Sequence, residues 1–152
     1  IQVFYKIKSS RFLDYEFIFQ PEINTVKHQL TSDRFLPSGH PLYDRREELK
    51  TFKTFHEYIM NLGMVFRKNI LDDLSVYFIA SIGPGYVEKG TERMDKGIGF
   101  SDNLGFGFSK DFNKIYVDTR IGYRHVSNAD LNEINDGYDA MVIDIGIGML
   151  LN

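Results

Sequence analysis

From its first residues to its last, this chain alternates bulky apolar residues with small or charged ones at a period of two. Ile1, Val3, Tyr5 and Ile7 oppose Gln2, Lys6 and Lys8, with Phe4 the exception. Leu13, Tyr15, Phe17, Phe19, Pro21 and Ile23 oppose Asp14, Glu16, Gln20, Glu22 and Asn24. The pattern returns in Tyr58 to Phe66, in Val76 to Tyr86 (where Tyr77 and Ile79 break the polar row), in Ile98 to Phe108, in Ile115 to Ser127 and in Met141 to Leu151. Successive side chains of a strand point to opposite faces, so a period of two predicts strands with one greasy face and one polar face.

Seven strands result, and their connections alternate in length. The turns near 9–11, 68–73 and 110–114 are short, whereas 25–52, 87–96 and 128–137 are longer. Short turns at one end and long loops at the other predict an all-β, antiparallel, up-and-down barrel of the outer-membrane type, apolar outside and polar within. The competing architecture is a soluble barrel or sandwich with the apolar rows turned inward. Glycine and serine on the polar rows favour the membrane barrel, because a crowded lumen needs small residues where a solvent face would carry long Lys and Glu.

The expected faces follow. Phe17, Phe19, Met60, Phe78, Phe106, Ile121 and Ile145 belong outside, and Glu16, Glu57, Arg67, Asp118, Arg120, Arg124 and Asp144 belong inside, their mixed signs allowing internal pairing. With seven strands the first and last run parallel, whereas bacterial single-chain barrels are even-numbered and antiparallel. The expectation is one domain over residues 1–152 holding seven of eight strands, the eighth upstream of Ile1, with a gap between the strand at Ile1–Lys8 and the one at Tyr138–Leu151. Ile1 falls within an alternating row and no initiating Met or signal peptide precedes it, as in a mature or truncated product.

Composition narrows the chemistry. Without cysteine there are no disulfides, thiolate nucleophiles or Cys-ligated zinc sites. The four histidines, His28, His40, His56 and His125, show no paired metal spacing, and no metal or other cofactor is expected. A net charge of −3 argues against a nucleic-acid partner, which calls for a basic stripe. The glycines of 97–107 alternate with aromatics in a strand and precede no helix, so they do not form a phosphate loop.

Polar residues end the greasy rows in one place. His125 and Ser127 continue the apolar face of their strand, and Asp139 begins the apolar face of the next. An odd-to-odd register setting Ile121 against Ile143 or Ile145 brings Asp139 beside His125 or Ser127, on the outward face and at the long-loop end. A serine hydroxyl becomes a nucleophile when a histidine takes its proton, and a carboxylate fixes the tautomer of that histidine. The alternative is that His125 and Ser127 are polar residues where a strand leaves the bilayer.

His125-Val-Ser127-Asn128-Ala129, followed by Asn135-Asp-Gly137-Tyr-Asp139, resembles the signature of the PagL family of lipid A 3-O-deacylases. The resemblance implies an eight-stranded outer-membrane barrel whose nucleophile, base and orienting carboxylate fall on Ser127, His125 and Asp139, supported by Asn135 and Asn128 around an oxyanion hole. It departs from the family in the shorter Asp139, where a family enzyme has glutamate, in Asp130 where glycine is common, and in a C-terminus without a terminal aromatic. The implied reaction is removal of the ester-linked 3-position acyl chain of lipid A, with lipopolysaccharide as substrate, the site facing the outer leaflet, and a homodimer as a further candidate partner. Arg45, Arg46, Lys89, Arg93 and Lys96 are candidate contacts for lipid phosphates or simply solvated cations. A non-catalytic outer-membrane barrel, structural or adhesive, and a soluble lipid-binding barrel stand as alternatives.

Overall fold

The computed structural model describes residues 1–149. They form one antiparallel sheet whose strands neighbour one another in chain order: β1 (Val3–Ser9), β2 (Asp14–His28), β3 (Lys53–Leu71), β4 (Leu74–Val87), β5 (Gly97–Phe112), β6 (Ile115–Ser127) and β7 (Tyr138–Met149). This is the expected up-and-down order. β1 and β7 run parallel at the two edges and do not pair among the described residues, leaving the anticipated gap. Leu151, read from the sequence as the end of the last row, lies outside the described residues.

Strand ends differ from the sequence reading. β2 continues to His28 and β3 starts at Lys53, because Thr25–His28 ladder onto His56–Lys53. At the other end the turns tighten to Asp72–Asp73 and Asn113–Lys114, the second with Asn113 in the left-handed region at φ 64°. Near the rims both faces meet water and the alternation fades, but backbone hydrogen bonds keep pairing the strands. The segment between β2 and β3 carries two 3-10 turns, Asp33–Phe35 and Tyr43–Arg45, and a four-residue helix, Arg46–Leu49, folded over Leu30, Leu36, Leu42 and Leu49.

The faces decide between membrane and soluble barrel. Met60, Phe106, Ile121 and Ile145 are exposed on the outside, Phe106 at 66 %. Phe17 is also exposed, and Phe19 is half-buried by its neighbours on the same face. Phe78 is stacked on that face between Phe66 and Phe106, at centroid distances of 6.3 and 5.0 Å. These phenylalanines lie outside, and Glu16, Glu57, Arg67, Asp118, Arg120, Arg124 and Asp144 lie inside.

Within the curved sheet the charges are paired, as burial requires. Arg67 forks onto Glu16 at 2.9 and 3.1 Å and donates to Ser75 and Ser109. Arg124 reaches Glu57 at 2.8 Å, and Arg120 pairs with Asp144. Asp118 accepts from Tyr77 Oη at 2.7 Å and Ser109 Oγ at 2.6 Å. The residues that break the sequence alternation have a place here too. Phe4, Tyr77 and Ile79 join Ile18 and Val65 in an interior apolar cluster, and the Arg67 guanidinium lies over the rings of Phe4 and Tyr77 at 5.5 and 4.7 Å. Gly107 makes room for that cluster, since a Cβ there would overlap the Tyr77 ring.

Candidate active site

The β6–β7 register sets Ile121 against Ile143 and His125 directly against Asp139. His125 Nδ1 lies 2.7 Å from Asp139 Oδ1. An ionised carboxylate only accepts, so the proton of this bond belongs to Nδ1, and the neutral imidazole offers Nε2 as an acceptor. The shorter aspartate therefore spans the distance by standing directly across the ladder. Ser127 follows two residues on, on the same face, half-buried, with Phe100 of β5 as its cross-strand partner. Among the described residues the Ser127 hydroxyl makes no hydrogen bond to the imidazole. Two residues of strand separate their Cα atoms by about 6.6 Å, and such bonds commonly close only around a substrate.

Beyond Ser127 the chain turns sharply. Ala129 and Asp130 both have positive φ, 51° and 59°, and Leu131 N–H closes the turn on Asn128 O at 3.1 Å. Glycine adopts that conformation freely and aspartate tolerates it, so Asp130 can stand where glycine is common. Asn128 is fully buried: its backbone N–H donates to Asn135 Oδ1 at 2.6 Å and its Nδ2 to Ile134 O at 2.8 Å. Asn135 Nδ2 donates to Asp130 Oδ1 at 2.8 Å. Both asparagines thus shape the loop that follows the serine, one from beneath and one across it.

Two further elements brace this loop. The β4–β5 connection crosses beneath it through a bridge between Met94 and Asn135, and Met94 packs with Phe55, Val87 and Val126 under the rim. Arg93 exchanges hydrogen bonds with Gly137, accepting from its N–H and donating Nε–H to its carbonyl, each at 2.9 Å. Gly137 has φ +65° and sits against the imidazole. The remaining cations have varied surroundings. Arg45 pairs with Glu48, Arg46 stacks on Tyr43, Lys89 donates to Thr54 O, and Lys96 is exposed. In the same connection as Arg93, buried Glu92 lies 2.7 Å from His28 Nε2. Burial alone would push the Glu92 carboxyl up, but the His28 hydrogen bond and its own backbone N–H outweigh this and hold it below the usual carboxylate range.

Sequence reasoning missed Tyr123, which donates its hydroxyl to Asp139 Oδ1, and missed the bracing role of Arg93. Tyr123 was legible as one more member of an apolar row. Only the diagonal relation between adjacent strands reveals its polar end.

A meandering antiparallel sheet, apolar outside and lined by paired charges within, with a polar cluster on its outer rim, is an outer-membrane β-barrel fold. The chain belongs to the PagL family: the family model for lipid A 3-O-deacylase matches residues 27–148 of its 152. No curated protein and no solved structure matches the chain.

Proposed function

We propose that this family member is a serine esterase that releases the 3-position acyl chain of lipid A at the outer leaflet. The observation that carries the reading is the His125–Asp139 pair on the membrane-facing surface at the long-loop rim, with Ser127 beside it. A lipid reaches such a site from the bilayer without leaving it.

In this mechanism Ser127 Oγ attacks the ester carbonyl while His125 Nε2 takes its proton, and Asp139 stabilises the imidazolium. The tetrahedral intermediate collapses, the sugar hydroxyl departs with the proton from Nε2, and an acyl-serine remains. Water attacks that ester with the same base, and Ser127 and a fatty acid are released. The backbone N–H groups of Ala129 and Asp130, in the turn after Ser127, suit the oxyanion, with Asn135 holding that turn in shape. The long loops of such barrels face outward from the cell, which supports a site at that rim working on the outer leaflet.

The test is mass spectrometry of lipid A incubated with refolded protein in detergent. Release of a 3-hydroxy fatty acid by the wild type and none by Ser127→Ala is expected. A folded barrel that releases nothing would leave the non-catalytic barrel as the better description.

A further inference from the structure

Asp139 Oδ1 accepts two hydrogen bonds, one from His125 Nδ1 and one from the hydroxyl of Tyr123. The register explains how both arrive. His125 stands directly opposite Asp139, while Tyr123 stands opposite Met141 and reaches Asp139 along the diagonal. A diagonal neighbour lies about 7–8 Å away across an antiparallel ladder, too far for a short side chain and within reach of a tyrosine. The donor position is thus fixed by strand pairing and not by a loop.

Asp139 stands where a second donor matters to the His125 contact. It is exposed on the outer face, in line with Met141, Ile143, Ile145 and Ile147, which are 74–79 % exposed to the membrane side. A carboxylate there can turn about its short side chain, and either oxygen can face the imidazole. A donor that engages the same oxygen as His125 selects one rotamer and satisfies a second lone pair of an anion beside hydrocarbon.

We propose that Tyr123 is a positioning residue for the reaction: its hydroxyl locks the Asp139 carboxylate against His125 Nδ1 and so holds the imidazole with Nε2 toward Ser127. The proposal rests on the serine-esterase reading for its kinetic consequence but not for its geometry. Tyr123 touches neither the nucleophile nor the scissile bond, and acts through Asp139 alone. The short aspartate and the tyrosine work as a unit, one supplying the charge and the other its orientation.

The substitution that tests this is Tyr123→Phe, which keeps the ring and removes one oxygen. With lipid A in detergent, kcat should fall about tenfold with KM unchanged, a loss of about 1.4 kcal/mol of transition-state stabilisation. Combined with Asp139→Asn, the further loss from Tyr123→Phe should disappear, because the group it orients is no longer an anion. Independent effects would multiply. A second measurement needs no turnover: NMR of the refolded barrel in micelles should show the His125 Nδ1 proton exchanging with water several-fold faster in Tyr123→Phe than in wild type. Faster exchange in Tyr123→Phe, found together with a folded wild-type barrel that releases no fatty acid, would uphold the positioning role and overturn the esterase reading. Unchanged exchange, full kcat in Tyr123→Phe, or losses that multiply in the double variant would each overturn the proposal.

Discussion

Gly137 lies so close to His125 that a Cβ on it would stand 3.0 Å from the imidazole Cε1 and 3.3 Å from Nε2. The same Cβ would meet Val126 O at 2.7 Å, and φ at this residue is +65°. Three constraints coincide on one position: a left-handed backbone, a strand carbonyl and the face of a candidate base. Gly137→Ala should therefore cost about 1–2 kcal/mol of stability and displace the imidazole, lowering deacylation at least tenfold. Urea unfolding and fatty-acid release measured on the same preparation check the two effects.

Ser127→Ala and His125→Asn should each abolish release while leaving the barrel folded, since both side chains lie on the outer face and open no core cavity. Asp139→Asn should retain more activity, because the carboxylate orients and stabilises without bonding to the substrate. Equal residual rates in all three variants would mean that the orienting role is misassigned.

Asn135→Ala removes the acceptor for Asn128 N–H and the donor to Asp130. Turnover should drop roughly a hundredfold if the turn after Ser127 supplies oxyanion donors. Asp130→Gly is the informative companion. It relieves a positive φ and releases Asn135 Nδ2, so activity should hold or rise. A fall in Asp130→Gly comparable to that of Asn135→Ala would assign the effect to loop order alone.

The Glu92–His28 contact makes the brace beneath the site sensitive to acid. A carboxyl whose folded pKa is depressed stabilises the fold fully above its unfolded value, about 4.3, and loses that contribution as the pH falls through the lower folded value. Glu92→Gln should accordingly loosen the 87–96 loop at neutral pH, seen as faster proteolytic nicking, with the difference from wild type closing below about pH 4. A gap that persisted to pH 2 would point to lost packing in place of lost charge.

In the interior, Arg67→Met would leave Glu16 buried without its partner. Removing one member of a buried pair costs about 3–5 kcal/mol. Adding Glu16→Gln should restore much of the loss, as read from unfolding midpoints in urea.

The sequence by itself determined the strands, their two faces and the company His125 keeps with Ser127, because a period of two is a local property that survives whatever the strand pairs with. The rows holding Phe106, Ile121 and Ile145 announced the outer surface, and Glu16, Glu57 and Arg124 the inner one. It also contained the motif from Asn128 to Gly137, though as a string without a shape. What only the tertiary structure decided is register and loop crossing. Direct pairing of His125 with Asp139, the diagonal reach of Tyr123, the grip of Arg93 on Gly137 and the gathering of Phe4, Tyr77 and Ile79 around Arg67 all join residues from different strands or loops. Alternation is unchanged when one strand slides by two residues past its neighbour, so it leaves such partners open. They are fixed by the packing of the whole sheet, where a two-residue slip would keep every face correct and still separate the imidazole from its carboxylate.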